Sequence, residues 1–325
     1  MVLCNSYTSS KNKQLKLILK CLSLGSNEYF SNMKILVTGS NGFLGQHLTQ
    51  FLVDKEHQVL ALSRGLQRIP VGKFLYQSVD LTQKEAVLQT LEAFKPDLII
   101  HSAAMSKPDE CHLDQAACLL HNVTATEYLI TGAKSIGARM LYVSTDFIFG
   151  ENGPHAETAI PQPLNFYGES KLMAEDKLRA SGLDYHIIRP VFIYGKYWEG
   201  MRPSFIQWVA QNLEAGKPIK VVSDQLRTPS YVQDLCKGIE LVFLGPINTE
   251  YHLAGKDRIS PYEMALTVAR VKNLDANIIS AVTADSFPEM VQRAKFSGLK
   301  IDKAVQELGY DPVDFETGVR LSFGL

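Results

Sequence analysis

The chain has 325 residues, of which 46% are hydrophobic and 21% are charged, and its formal net charge is −1. This composition is typical of a soluble globular protein rather than a disordered one, and the length predicts one large domain or two interleaved domains. Because 33 Lys and Arg residues face 34 Asp and Glu residues, the chain has no excess positive charge, which argues against a nucleic-acid partner.

The cysteines indicate the redox compartment. The five cysteines are odd in number and show no repeated spacing, as expected of free thiols, so we predict a cytoplasmic location. One local group contains residue types that bind zinc, namely Cys111, His112, Cys118 and His121. Its spacing matches no common two-plus-two zinc pattern, so we predict no metal site.

Residues 1–32 differ from the rest of the chain, because they are rich in Ser, Asn and Lys and precede Met33. Their apolar stretch contains Lys16 and Lys20, which makes it too short and too charged to span a membrane and a poor signal peptide. We predict a mobile N-terminal extension, and one hypothesis is that the natural chain begins at Met33. No later apolar run has membrane length, so no membrane association is predicted.

From Met33 onward, short apolar runs alternate with segments of helical period. The predicted strands are KILVTG and residues 58–64, 74–79, 97–104, 139–145 and 185–190; the predicted helices follow the first strand and cover 85–94, about 114–136 and 166–181. The strands lack polar alternation, which indicates a sheet covered on both faces, and the strand-helix order favours parallel pairing. The prediction is an α/β fold with a doubly wound parallel sheet of the Rossmann type over residues 33–194.

The pattern is less regular after residue 195. We predict a helix that ends at Gly216, a strand in IKVVSD, a helix in VQDLCKGIELVFLG, a strand in TEYHLAG, and helices near 261–273 and 301–308. Such mixed elements favour a smaller substrate-binding lobe, 195–325, over the carboxyl edge of the sheet. Parts of 231–255 are expected to complete the first domain, so the two domains are interleaved.

The sequence TGSNGFLG places Gly39, Gly42 and Gly45 between the first strand and the first helix. Glycines at this place allow a tight turn and a close approach of backbone to a pyrophosphate, which binds at the N-terminal amides of the helix. A purely structural turn is the alternative. The predicted cofactor-binding residues here are Gly39, Asn41, Gly42, Phe43, Leu44 and Gly45.

The end of the second strand indicates which dinucleotide binds. Sites that prefer NAD(H) often have an acidic residue there for the ribose 2′-hydroxyl, whereas this chain has Ser63 and Arg64. A guanidinium favours a 2′-phosphate, so we predict NADP(H), with NAD(H) as the alternative cofactor. The competing interpretation is that Arg64 is a solvated charge at a strand end.

The stretch NFYGESK puts Tyr167 and Lys171 one helical turn apart, so the two side chains share a face. A phenol has a reference pKa near 10, which is too high for ready proton exchange at neutral pH. An ammonium group one turn away would stabilise the phenolate, so we expect Lys171 to lower the pKa of Tyr167.

Several motifs occur in a characteristic order over residues 33–310. They are TGSNGFLG, VDL at 79–81, HSAA at 101–104, Asn122, STDFIFG at 144–150, YGESK at 167–171 and RPVFIYG at 189–195. With these motifs the chain resembles the extended short-chain dehydrogenase/reductases, and within them the dTDP-4-dehydrorhamnose reductase group. The resemblance implies a catalytic role for Thr145, Tyr167 and Lys171, with Tyr167 as the acid/base, Lys171 as its helper and ribose ligand, and Thr145 as a ligand of the substrate oxygen.

The resemblance implies further contacts around these residues. Asp80 and Leu81 are expected in the adenine pocket, Ser102, Ala103 and Ala104 beside the cofactor, and Tyr167 and Lys171 near its nicotinamide end. Asn122 is expected to stabilise the central helix or a water relay, although it could be a simple polar helix residue. The predicted substrate contacts are Met105, Asp146, Arg202 and Arg227, of which the two arginines could instead be exposed charges.

Residues 145–147 separate subtypes of the family. Nucleotide-sugar dehydratases have Thr-Asp-Glu here, whereas this chain has Thr145, Asp146 and Phe147, so dehydration is not expected. The leading prediction is an NADP(H)-dependent reductase of a 4-keto nucleotide-sugar, and a homodimer is compatible with it. The alternatives are a nucleotide-sugar 4-epimerase and a non-catalytic regulatory subunit similar to methionine adenosyltransferase β. Gly150 and Glu151 depart from the usual Phe-Asp-Gly continuation, which leaves the sugar open.

Overall fold

The computed structural model describes residues 32–70, 72–198, 200–287 and 290–325. The predicted N-terminal extension, apart from Asn32, lies outside the described residues. The strands are β1 (Lys34–Thr38), β2 (Gln58–Ser63), β3 (Leu75–Ser78), β4 (Leu98–His101), β5 (Arg139–Val143), β6 (Tyr185–Arg189), β7 (Ile219–Val222), β8 (Thr249–His252) and β9 (Ile279–Val282).

The helices alternate with these strands in the first part of the chain and cluster after β6. They are α1 (Phe43–Asp54), α2 (Lys84–Phe94), α3 (Pro108–Leu113), α4 (Gln115–Leu119), α5 (Ala125–Ile136), α6 (Phe166–Arg179), α7 (Phe205–Glu214), α8 (Val232–Leu244), α9 (Pro261–Lys272), α10 (Asp302–Leu308) and α11 (Phe315–Phe323). In the described parts of the chain, none of them is both long and apolar enough to cross a membrane.

Seven strands form one sheet in the order β3-β2-β1-β4-β5-β6-β8, and all neighbouring strands are parallel. The predicted α/β, doubly wound parallel fold is therefore confirmed. The strand order reverses between β1 and β4, which opens a crevice at their carboxyl ends.

The apolar runs of the strands are explained by burial on both faces. Ile35 and Val37 of β1 pack in a core with residues of α1 and α8, whereas Leu36 packs on the opposite face with residues of α2 and α5. Successive side chains of a strand point to opposite faces, so a strand between two helical layers needs apolar residues at every position.

A separate core lies in the C-terminal part of the chain. It is formed by residues of α7, α9 and α11 packed on a small parallel sheet of β7 and β9. Two elements of the same region are instead associated with the seven-stranded sheet. Strand β8 pairs with β6, and helix α8 packs on the sheet in the core beside β1. The strand β9 and the helix α11 were not predicted from the sequence.

Candidate functional site

The loop between β1 and α1 packs so closely with its surroundings that one position in the loop and one in the first turn of α1 have no room for a side chain. A Cβ on Gly39, whose φ is +68°, would lie 2.7 Å from the backbone nitrogen of Ala103. A Cβ on Gly45 would lie 2.2 Å from the carbonyl oxygen of Gly39. The glycines thus bring the loop, the first turn of α1 and the segment after β4 together at the crevice.

A cavity of about 580 Å³ opens at this crevice. Its lining includes most of the predicted cofactor residues, namely Gly39, Gly42, Phe43, Leu44, Gly45, Arg64, Asp80, Leu81, Ser102, Ala103 and Ala104, together with Met105. The N-terminus of α1 faces it with no side-chain cap at Gly42, so amide donors and the positive end of the helix dipole remain for an anion. The glycine cradle, the volume and these donors fit a dinucleotide.

At the far end of the cavity, Arg64 is exposed and lies close to Asp80. The Asp80 carboxylate accepts hydrogen bonds from the Thr82 backbone N–H at 3.0 Å and the Thr82 hydroxyl at 2.8 Å. The Thr82 backbone bond is the main reason that the pKa of Asp80 is lowered, and the charge of Arg64 adds to this effect. Three predicted cofactor residues, Asn41, Tyr167 and Lys171, do not line this cavity.

The three predicted catalytic residues lie at the carboxyl end of β5 and at the start of α6. Tyr167 and Lys171 are buried one turn apart in α6, and Thr145 is buried two residues after β5. The Thr145 hydroxyl lowers the pKa of the Tyr167 phenol and accepts a bond from the Phe147 N–H at 3.2 Å. Helix α6 begins at Phe166 because the Asn165 side chain caps it, accepting a bond from the Gly168 N–H.

Burial dominates the protonation of this group. Removal from water raises the pKa of Tyr167, and the Thr145 hydroxyl opposes that rise only in part. Burial also lowers the pKa of Lys171 to about 7, while its Nζ donates to the Val143 carbonyl at 2.8 Å. The net shift of the Tyr167 pKa is therefore upward, opposite to the lowered pKa expected from Lys171, because the desolvation of the phenol is the largest effect.

A buried network of ion pairs holds the C-terminal half of α6 against the sheet. The Glu175 carboxylate receives two bonds from the Arg189 guanidinium, at 2.8 and 2.7 Å, and one from Arg179 at 2.6 Å. Glu250 of β8 bonds both arginines as well. This network was not predicted from the sequence, although its signals are an acid one turn after Lys171 and the arginine of RPVFIYG.

Buried polar residues connect the segment that lines the cavity at Met105 to the helix that carries Tyr167. The Asn122 side chain bonds both backbone groups of Met105, at 2.8 and 3.1 Å, and donates to the Ser170 hydroxyl at 2.9 Å. Ser170 in turn donates to the Tyr167 carbonyl at 2.8 Å. Asn122 therefore ties the cavity wall to α6, whichever further role it has.

Cys111 and Cys118 are buried against Tyr167 in one small core. The interaction between the two thiols lowers the pKa of Cys118 and raises that of Cys111. His101 is also fully buried: it is bonded to Thr38 at 2.7 Å, and burial lowers its pKa to about 3, so it is neutral. Across the described ranges, no three His, Cys, Asp or Glu side chains are grouped as metal ligands.

The predicted substrate contacts are only partly brought together. Asp146 and Arg227 line a small cavity of about 20 Å³, while Met105 lines the large one. The Asp146 carboxylate accepts a bond from the Ser297 hydroxyl at 2.8 Å; burial raises its pKa, and attraction to Arg227 opposes that rise. Arg202 is exposed and lines neither cavity.

The segment 290–299 covers the small cavity, and sequence reasoning missed it. Arg293 forms an ion pair with Asp109 of α3 at 2.8 Å, and the Asn165 side chain donates to the Gln292 carbonyl at 2.9 Å. Arg293 and Ser297 line the cavity beside Asp146. The segment has neither a helical nor a strand period, so the sequence contained no pattern that would have assigned it to the site.

Comparison with known proteins identifies the family. The family model described as RmlD substrate binding domain matches residues 33–323. The dTDP-4-dehydrorhamnose reductase of Aggregatibacter actinomycetemcomitans is 28% identical over 301 residues, which cover 88% of this chain and 97% of that protein. Methionine adenosyltransferase 2 subunit beta of Mus musculus is 30% identical over 322 residues, which cover 96% of this chain and 94% of that protein.

A solved structure agrees with these sequence matches. The dTDP-4-dehydrorhamnose reductase from Bacillus anthracis, in complex with NADP, has a TM-score of 0.79 and 26% identity, and the match covers 90% of this chain and 99% of that one. Its likeness extends over the cavity region and the C-terminal lobe alike. The chain therefore belongs to the RmlD substrate binding domain family, within the extended short-chain dehydrogenase/reductases.

Proposed function

We propose that the protein is an NADP(H)-dependent reductase of a 4-keto nucleotide-sugar, with dTDP-4-dehydro-6-deoxy-L-mannose as the first substrate to test. The observation that carries the proposal is the group of buried residues Thr145, Tyr167 and Lys171, which the end of β5 and the start of α6 bring to the carboxyl edge of the sheet. The membership in a family that contains dTDP-4-dehydrorhamnose reductases supports the choice of substrate.

The residues that would hold the cofactor follow from the cavity. The pyrophosphate would bind the amides of the glycine loop and of the first turn of α1, and Arg64 would bind the 2′-phosphate. Asp80 and Leu81 would contact the adenosine, and Ser102, Ala103 and Ala104 would form the wall beside the nicotinamide end. When bound, the nicotinamide supplies a hydride to the carbonyl carbon.

Tyr167 would supply the proton. Its raised pKa keeps the phenol protonated at neutral pH, which is the state that a proton donor to a developing alkoxide requires. The Thr145 hydroxyl would donate to the same substrate oxygen. Lys171 would stabilise the phenolate once the proton has left. Because the pKa of Lys171 is about 7, a nearby anion such as the phenolate would favour the protonated, charged lysine.

The sugar and its diphosphate would bind on the C-terminal side. Met105 and Asp146 are proposed to contact the sugar, and Arg227 and Arg202 the diphosphate. We also propose that residues 33–194, completed by parts of 231–255, bind the cofactor and that 195–325 bind the substrate. A homodimer and a cytoplasmic location are part of the same proposal.

Incubation of the protein with the keto sugar and NADPH tests the reaction. We expect oxidation of one NADPH for each sugar reduced, followed at the absorbance of the reduced nicotinamide. Conversion between 4-epimers without net NADPH oxidation would assign the protein as an epimerase instead. Absence of both reactions with a panel of 4-keto nucleotide-sugars would reject catalysis on this substrate class.

The second candidate is a non-catalytic regulatory subunit. The match to methionine adenosyltransferase 2 subunit beta covers 96% of this chain at 30% identity, whereas the reductase match covers 88% at 28%. Co-purification of the protein with a methionine adenosyltransferase catalytic subunit in a fixed ratio would support this candidate. A protein that turns over the keto sugar and does not bind that subunit would exclude it.

A further inference from the structure

One side chain joins the phosphate loop to the loop that follows β2. The Asn41 Nδ2 group donates to the Leu66 carbonyl at 2.9 Å and lies 3.3 Å from the Arg64 carbonyl and 3.1 Å from the Tyr76 hydroxyl. Its Oδ1 accepts a bond from the Arg68 N–H at 2.9 Å. An amide side chain has two donor hydrogens and one acceptor oxygen, so the side chain is fully used by this loop.

The loop has further bonds at the same place. The Tyr76 hydroxyl donates to the Gly65 carbonyl at 2.8 Å, and the Gly65 N–H donates to the Ser78 hydroxyl at 3.0 Å. On the other side, the buried Gln46 of α1 donates to the Asn41 carbonyl at 3.0 Å. Residues 64–68, β3 and the phosphate loop therefore form one hydrogen-bonded unit with Asn41 at its centre.

This unit determines where the Arg64 backbone lies. The Arg64 side chain is exposed and lines the large cavity beside Asp80. A long flexible side chain loses conformational entropy when it binds a ligand, and the loss is greater if its backbone is also free to move. Fixing the backbone of residues 64–68 lowers the cost of placing the guanidinium on a phosphate.

We propose that Asn41 is a positioning residue for cofactor selectivity: by fixing residues 64–68, it places Arg64 where the guanidinium meets the 2′-phosphate that distinguishes NADP(H) from NAD(H). Asn41 acts through Arg64, and its side chain does not contact the dinucleotide. This inference rests on the cofactor preference in the proposed function. It assigns the asparagine of TGSNGFLG a role different from that of the glycines around it.

Direct binding of NADPH and NADH to Asn41→Ala tests the role without any sugar substrate. NADPH binding is expected to weaken about five- to thirtyfold, which corresponds to the loss of one or two hydrogen bonds of about 1 kcal/mol each, with NADH binding nearly unchanged. The readout is the ratio of the two dissociation constants from fluorescence titration. Tyr76→Phe, a gentler change that removes the bond to Gly65, is expected to shift the ratio in the same direction.

A double-mutant cycle separates positioning from direct contact. Arg64→Ala should reduce the NADPH preference more than Asn41→Ala does, and the double variant should be no worse than Arg64→Ala alone. Gln50→Ala is the matched control, because Gln50 lies on α1 and its amide donates to Asp54 of the same helix at 3.0 Å. The control should keep the wild-type ratio, and thermal unfolding checks that each variant is folded.

Each outcome decides a different point. Equal weakening of NADPH and NADH binding in Asn41→Ala, or additive effects in the double variant, would overturn the positioning role and leave the reductase proposal intact. An unchanged ratio in Arg64→Ala would reject the assigned cofactor preference and the positioning role together. Failure to reduce any keto sugar would reject the proposed reaction, but it would not affect the binding ratios.

Discussion

Lys171 is the buried charge on which the candidate active site depends, and it is expected to destabilise the folded protein. Its side chain is 2% exposed, and burial lowers its pKa from 10.5 to about 7. Below about pH 7 the lysine is charged in both states, so the cost of burying the charge is present in full. Above pH 7 the unfolded state binds more protons, so stability rises with pH until the unfolded lysine also loses its proton near pH 10.5.

The size of the effect follows from the two pKa values. Each tenfold change in the protonation equilibrium corresponds to about 1.4 kcal/mol, so the full cost is about 5 kcal/mol as an upper value. Between about pH 6 and about pH 9, the wild-type protein should gain about 2 to 3 kcal/mol in free energy of unfolding relative to Lys171→Met. Methionine retains most of the apolar volume and carries no proton in this range.

Urea unfolding of both proteins at a series of pH values measures this difference. Subtracting the two curves removes the groups that titrate equally in both proteins. Lys177→Met is the matched control: Lys177 lies on the same helix, is 52% exposed and pairs with Glu127 at 2.7 Å. Because a surface pair contributes about 0 to 1 kcal/mol, the control should differ from wild type by a small and nearly constant amount.

Parallel curves for wild type and Lys171→Met over this pH range would refute the reasoning. They would mean that the lysine keeps an ordinary pKa in the folded protein, through water or a counter-charge at the site. A wild-type protein that loses stability relative to the variant as pH rises would indicate the opposite, a raised lysine pKa. The lowered lysine pKa therefore predicts that the difference in free energy of unfolding, wild type minus Lys171→Met, increases with pH.

Three further predictions concern the catalytic phenol, the helix anchor and the glycine loop. Tyr167→Phe is expected to cut turnover by a factor of about 10² or more while NADPH binding stays nearly intact, and equal turnover would dispose of its role as proton donor. Glu175→Gln should lower the free energy of unfolding by about 2 to 4 kcal/mol, because it removes the negative charge that faces the Arg189 guanidinium, which is only 2% exposed. Glu127→Gln, in an exposed pair with Lys177, should lower it by less than about 1 kcal/mol. Similar losses in the two variants would contradict a stabilising role of the buried ion network. Gly45→Ala, whose Cβ would lie 2.2 Å from the Gly39 oxygen, should abolish dinucleotide binding, and Gly42→Ala, at 3.0 Å from the same atom, should be milder; titration of NADPH decides whether that order holds.

Much of the fold could be predicted because its signals are local. The run KILVT is apolar at its three central positions without alternation, which is typical of a strand covered on both faces. The glycine spacing that follows predicted a cradle at a helix start, and the cavity is built on Gly39 and Gly45. Tyr167 and Lys171 are neighbours on one helix for any chain that forms that helix.

Other features depend on segments that are far apart in the chain. Asn41 looks like one more residue of a phosphate loop, but its partners lie up to 35 residues away, at Tyr76. Ser297 reaches Asp146 across 151 residues, and Arg293 reaches Asp109 across 184. No short-range pattern encodes such pairs, so the covering segment 290–299 could not be assigned to the site in advance.

Local patterns in the chain were enough to predict the strand-helix order, the glycine cradle and the residue types that can exchange a proton and bind a phosphate. The electrostatic state of these residues depends on the folded packing around them. The charge of Lys171 one turn away predicted an acidified Tyr167, but the enclosure of both groups raises the pKa of Tyr167 and lowers that of Lys171 to about 7. The physical reason is that desolvation depends on everything packed around a group, which spacing along the chain does not contain.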